Sequence, residues 1–266
     1  MSYQTLMVER VPPLVTVTLN RPAKLNAVNA QMLQELTQIV TELRADTATR
    51  FVIFTGAGRA FSAGADLGQR GVDQPQESGA SYEAARLAQL AAHDMIRSLQ
   101  NLEQVTIAAV NSYCLGAGLV VAMVCDFIIA AEDALFGVPE PNIGLFFTWG
   151  SSARLSRLVG PIRAKEIIMT CENVTAEQAL AMGLVNKVVP PGKLMEAARE
   201  MVDKIAGKSP LAVRITKKLV NAASAPGPGD VYLVEPELVE RFSIEGHTAE
   251  GARAFRERRP PKFPGS

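Results

Sequence analysis

Two stretches of this chain follow one plan. Phe51 to Leu67 and Val105 to Val124 each begin with an apolar strand, cross a loop of small residues and open a helix. Buried strands that alternate with helices confine the chain to an α/β architecture. The likeness of the two stretches points further, to a β–β–α unit repeated and wound into a spiral.

The remaining periodicities fit around that unit. Val15 to Leu19 reads as a strand, stopped by Asn20-Arg21-Pro22. Asn29 is placed to cap a helix through about Arg44, with Met32, Leu33, Leu36, Ile39, Val40 and Leu43 on its apolar face. Phe127 to Ala130 and Ala134 to Gly137 read as further strands, and Tyr82 to Leu99 as a helix after a mobile loop, Gln69 to Ala80. From Pro161 onward the pattern turns helical: Pro161 to Thr170, Thr175 to Met182, Leu194 to Ile205 and Pro210 to Asn221. After the break Ala225-Pro226-Gly227-Pro228-Gly229, the Val231 to Ile244 stretch and Thr248 to Arg258 carry two last helices. A division follows: 1–190 as core, 191–266 as a helical tail that covers the core or packs between subunits.

Composition excludes several partners. Lys plus Arg and Asp plus Glu balance at 27 each, so no global field draws nucleic acid or an anionic membrane. The longest apolar run, Leu115 to Ala131, is broken by Asp126 and falls short of the ~20 residues that span a bilayer. With no leader signature either, a cytoplasmic location is expected. Cys114, Cys125 and Cys171 lack metal-ligand spacing and read as reduced core residues. His93 and His247, the only histidines, make no metal cluster and pair with no nucleophile. Ser62 stands in no strand-to-helix nucleophile elbow, and Gly56-Ala57-Gly58 lacks the third glycine of a dinucleotide site.

Three local features carry chemistry. Arg59 to Leu67 follows a strand with side chains so small that another molecule can approach its backbone, and Asp66 is placed to cap a following helix. Leu115-Gly116-Ala117-Gly118 opens a helix, where free N–H groups and the helix dipole favour an anion. Two such loops brought together would aim N–H groups at one oxygen, as in an oxyanion hole. Glu140 follows a strand and a proline. Each feature alone has an ordinary reading as well: a glycine-rich connection, a helix start, a solvated loop carboxylate.

Taken in order along the chain, the motifs are more specific. Asn20-Arg21-Pro22, Leu25-Asn26-Ala27, Ala60-Phe61-Ser62-Ala63-Gly64-Ala65-Asp66-Leu67 and Asn111 to Gly118 are followed by Cys125-Asp126, Phe136 to Glu140, Ala179 to Val185 and Glu250 to Phe255. This series resembles the enoyl-CoA hydratase/isomerase (crotonase) family along nearly the whole chain. The resemblance implies a ββα-spiral core, a C-terminal helical oligomerisation region and a homotrimer or dimer of trimers. It implies an acyl-CoA thioester as substrate, with coenzyme A part of that substrate, no separate cofactor and no metal. Carried over by position, the backbone N–H groups of Ala65 and Ala117 would be the oxyanion donors and Glu140 the acid–base residue. Lys24, Leu25, Ala27, Ala63, Gly64, Asp66, Leu67, Tyr113, Gly116, Pro139 and Thr148 would border the coenzyme A and acyl path.

One departure matters. Two-glutamate hydratases of the family place a second glutamate where this chain has Val120. Hydration requires a water to be activated and a proton delivered to carbon, work that two carboxylates share. Moving a double bond asks less, since one base can take a proton from one carbon and return it two carbons away. The expectation is therefore one-base Δ3,Δ2-enoyl-CoA isomerisation through Glu140. Thr148 stands where dienoyl-CoA isomerases have an acid, so their second carboxylate is missing too. Three alternatives stay open: hydration with an acid relocated to Asp73, Glu77 or Glu83, other enolate chemistry, and an acyl-CoA-binding relative without turnover. The aromatic cluster Phe146, Phe147 and Trp149 is read as either acyl-pocket wall or core.

Overall fold

A computed structural model describes residues 3–67, 79–224 and 241–263. Its larger sheet has six strands in the order β1 (Leu6–Val11), β2 (Leu14–Leu19), β3 (Phe51–Gly56), β5 (Val105–Val110), β7 (Phe127–Ala131) and β10 (Lys187–Val189). The β1–β2 pair is antiparallel and every other pairing is parallel. A smaller sheet orders β4 (Ala60–Ser62), β6 (Tyr113–Leu115), β8 (Leu135–Gly137) and β9 (Val174–Thr175), with only the last pair antiparallel. Successive pairs β3–β4, β5–β6 and β7–β8 each give one strand to each sheet, and α2 (Gly79–Gln100), α3 (Ala117–Met123) and α4 (Ser151–Val159) come after them in turn. Each turn thus advances both sheets by one strand. That is the expected spiral, with a third copy the sequence reading did not count.

The apolar strands are continuous because the larger sheet is covered on both faces. Val52 and Phe54 on β3, Ala108 and Val110 on β5, and Ile128 and Ala130 on β7 face the main core. The alternate positions Phe51, Ile53, Ile107, Ala109 and Ile129 face α7 (Leu194–Ala206), which buries Leu194, Ala197, Ala198 and Val202 against them. Part of the helical tail therefore covers the core. The next helix, α8 (Pro210–Ala223), is tied down by Lys217, which pairs with Asp126 at 2.8 Å and donates to the Gln104 carbonyl at 2.7 Å.

Several elements start where their side chains dictate. Asn29 caps α1 (Ala30–Ala45), its side chain accepting from Met32 N at 2.9 Å, and Met32, Leu36, Ile39, Val40 and Leu43 are buried. Thr175 and Gln178 close a reciprocal box at the start of α6 (Ala176–Ala181). The helix α5 (Pro161–Thr170) has the expected bounds, and α9 (His247–Glu257) starts and ends one residue earlier than expected. Strands β1, β4, β6, β9 and β10 and helix α4 were not foreseen; β1 shows outward a mixed face of Met7, Glu9, Arg10 and Val11, which gives no alternation to read. The loop expected over Gln69 to Ala80 lies outside the described residues except for its last two, which open α2. Most of the Val231 to Ile244 stretch lies outside them as well. Of the cysteines, Cys114 is core and Cys125 packs against it, whereas Cys171 sits half-buried just past α5. No helix among the described residues is long and apolar enough to cross a membrane.

Candidate active site

The first loop of the site is organised by Asn26, which is 0% exposed. Its Nδ2 donates to the carbonyls of Ala57 (2.9 Å) and Ala60 (2.7 Å), and its Oδ1 accepts from Arg21 N (2.8 Å). Leu25 and Asn26 both take left-handed backbone angles, φ 49° and 55°, to put the amide there. The Arg21 guanidinium donates to the Ala27 carbonyl and pairs with Asp66 at 2.8 Å. So held, 25–28 lies beside 63–66: Ala63 N donates to Leu25 O (2.9 Å), Val28 N to Gly64 O (2.8 Å) and Asp66 N to Val28 O (2.9 Å). Asp66 serves as an ion-pair partner in this arrangement. Leu67, directly after Asp66, is already helical, as expected of a residue following a cap, and the continuation expected from 68 onward lies outside the described residues.

The second loop joins β6 to α3. Gly116 N donates to Gly137 O and Val120 N to Gly116 O, both at 3.0 Å. Around both loops the N–H groups of Ala63, Gly64, Asp66 and Gly116 have acceptors, whereas no hydrogen bond among the described residues engages the N–H of Ala65 or Ala117. The neighbouring glycines measure how closely the loops meet. A Cβ on Gly64 (φ 97°) would stand 3.7 Å from Ala117 N, and one on Gly116 (φ 49°) 3.5 Å from Gly64 Cα. The same Cβ on Gly116 would stand 2.6 Å from Glu140 Oε1. A carboxylate oxygen therefore occupies the space where a side chain at 116 would be.

Glu140 opens a short 3-10 turn, Glu140–Ile143, directly after β8 and Pro139, and Gly144 ends it at φ 69°. The half-buried Cys171 lies within electrostatic reach: burial first, and then the Glu140 charge, push its thiol above the ordinary value, against a backbone hydrogen bond from Asn142. Val120, one turn after Gly116 on α3, is 2% exposed and packed in the main core. Glu83 is exposed on α2 and bound to Arg86 at 3.1 Å; that hydrogen bond holds its carboxyl below the usual range. Asp73 and Glu77 lie outside the described residues.

The other expected positions spread around this centre. Lys24 is exposed at the end of the turn Pro22–Lys24, with Leu25 and Ala27 half-buried beside it and Leu67 half-buried after Asp66. Tyr113 is exposed at the start of β6 opposite Ala60, and Thr148 accepts from Ser151 N at 3.2 Å in the turn into α4. The aromatic trio divides: Phe147 is core, Phe146 meets Phe242 at 5.7 Å, and Trp149 donates to Gln89 on α2 at 2.9 Å. His93 is buried in α2. The roles of Arg21 and Asn26 went unassigned in the sequence, although both stand in its first motifs. Asn173, whose Oδ1 fills the space beside Gly137, carried no signal at all.

A family profile described as enoyl-CoA hydratase/isomerase matches residues 11–266. The chain is 37% identical over 261 residues to the short-chain-enoyl-CoA hydratase of Clostridium acetobutylicum, covering 97% of each chain. Among solved structures it is similar to an enoyl-CoA hydratase from Mycobacterium avium subsp. paratuberculosis, with a TM-score of 0.83 at 26% identity and coverage of 98% of this chain and 99% of that one. It is also similar to a monofunctional enoyl-CoA isomerase from M. smegmatis, with a TM-score of 0.70 at 31% identity over 86% of this chain and 98% of the other.

Proposed function

This chain belongs to the enoyl-CoA hydratase/isomerase family, whose members act on acyl-CoA thioesters, and from that premise we propose that it is a one-base Δ3,Δ2-enoyl-CoA isomerase. The thioester oxygen binds between the N–H groups of Ala65 and Ala117, which become stronger partners as negative charge collects on that oxygen. Glu140 takes a proton from C2 of a 3-enoyl-CoA, and the electron pair spreads through the dienolate onto the held oxygen. The same carboxyl then returns the proton to C4, leaving the double bond between C2 and C3. No water enters and nothing leaves, so the step balances with a single carboxylate. Lys24, Leu25, Ala27, Ala63, Gly64, Asp66 and Leu67 border the coenzyme A path, with Lys24 facing its phosphates. Tyr113, Gly116, Pro139 and Thr148 border the acyl side.

The observation that carries this reading is Val120: it is buried in apolar core one turn from Gly116, where a hydratase of the two-glutamate kind needs its second acid. A second reading, hydration with an acid drawn from Asp73, Glu77 or Glu83, is favoured by the name of the Clostridium relative at 37% identity. Purified protein separates the two when offered a 3-enoyl-CoA and a 2-enoyl-CoA in parallel. Isomerisation should outpace hydration, and Glu140→Gln should lower it by the ~10²–10⁴-fold typical of general acid–base catalysis. Rapid hydration without isomerisation would establish the second reading, and binding without turnover of either substrate would leave only a thioester-binding role.

A further inference from the structure

The closing motif Glu250 to Phe255 lies far along the chain from Glu140 and has had no role so far. In the fold it forms the middle of α9, and α9 lies directly on the turn that carries Glu140. The contact is backbone on backbone. A Cβ on Gly251 would stand 2.6 Å from Ile143 Cα, and nearer still to the Ile143 carbonyl. Opposite it, a Cβ on Gly144 would stand 2.5 Å from the His247 carbonyl carbon. Thr248 Oγ1 donates across the same seam to Gly144 O at 3.4 Å.

Both ends of α9 are fastened. At its start, His247 lies between the rings of Phe242 (5.8 Å) and Phe263 (5.7 Å). Just past its end, Arg259 folds back to Glu250 in the first turn, donating through Nη1 and Nη2 at 2.7 and 3.1 Å. The turn beneath is closed by its own bonds, Asn142 N to Pro139 O, Gly144 N to Pro141 O and Leu145 N to Glu140 O. A push at Ile143 therefore moves Glu140 with it, because a hydrogen-bonded turn of four residues shifts as one body.

We propose that Gly251 is a positioning residue: its missing side chain lets α9 press on Ile143 and so fixes where the Glu140 carboxylate stands relative to Gly116. The inference rests on Glu140 being the acid–base group. Gly251→Ala in the full chain adds a methyl group where Ile143 already is, and the turn must give way. Displacement of a reacting group by about an ångström costs up to ~100-fold, so kcat should fall ~10- to 100-fold. Binding of a saturated probe, butyryl-CoA, should change less than about threefold, since Ala65 and Ala117 are untouched. The acid limb of the kcat–pH profile should shift as the surroundings of Glu140 change. A folded Gly251→Ala enzyme with wild-type kcat, or one in which kcat and butyryl-CoA binding fall together with an unmoved pH profile, overturns the proposal. Should that variant not fold, Thr248→Val removes the seam bond without adding bulk. A smaller loss of kcat with a shifted profile then supports the proposal, and wild-type values for both refute it. Glu140→Gln separates the levels: if it keeps full turnover, the acid–base reading fails and this inference with it. If Glu140→Gln is inactive while Gly251→Ala is normal, only this inference fails.

Discussion

Ala117 is the first residue of α3, and that position decides how its N–H can be tested. Proline is tolerated at the first position of a helix because the N–H it lacks is not used within the helix. Gly116 before it, at φ 49° and ψ −120°, is outside the α region that a following proline disfavours. Ala117→Pro should therefore keep α3 and lose one donor. The expected result is a fall of at least ~100-fold in kcat, as for loss of one oxyanion contact, in a protein with an unchanged circular dichroism spectrum. A folded variant with normal turnover would place the thioester oxygen elsewhere. At this scale the sequence was informative about which residues meet and silent about what holds them. Gly64, Gly116 and Glu140 stood in recognisable motifs, but the Asn26 amide and the Arg21–Asp66 pair depend on partners up to 45 positions apart (66 − 21), and no local pattern records such distances.

Glu35 shows what one side chain does for two elements. From α1 it accepts from Gln4 N (2.9 Å), Thr5 N (2.8 Å), the Thr5 hydroxyl (2.6 Å) and the Gln31 amide (2.8 Å), and so fastens the residues that lead into β1. Burial acts to raise its carboxyl, but the hydrogen bonds from Thr5, Gln31 and Gln4 outweigh it and bring the pKa down from 4.5 to about 2. A pKa lowered by folding stabilises the fold above the unfolded value, and the benefit is lost as the pH falls from about 4.5 toward about 2. Chemical denaturation across that range should show stability declining with acid, and Glu35→Gln should flatten the decline. An equally steep decline in the variant would assign the acid sensitivity elsewhere. Elements with strong local signals, such as α1 with its Asn29 cap and α5 after its proline, were readable in advance. β4, β6 and β9, two or three residues long, were not, because so short a strand is defined by its neighbours in the small sheet, β4 by β6, β6 by β4 and β8, and β9 by β8.

Over the whole molecule, α8 is two-sided. Lys217 points inward to Asp126, while Leu211, Ile215 and Leu219, at successive steps of four, stand exposed. Such a stripe is suited to contact with another chain, and the prediction is the trimer or dimer of trimers that the sequence resemblance implied. Light scattering should return three or six times the 28.5 kDa of one chain, and Leu219→Glu should lower that mass without unfolding the protein. A monomeric wild type at micromolar concentration would refute the assembly. The placement of Ala65 and Ala117 has a different kind of consequence, an evolutionary one. Their donors are main-chain atoms, so nearly every codon change at either site leaves the N–H in place, proline being the exception. If these two groups hold the thioester oxygen as proposed, selection can exchange the residues at 120 and 140 while that means of holding an anion is inherited intact. A lineage built on this backbone can change its reaction by drift at a few side chains, without passing through an ancestor that has lost its grip on the substrate.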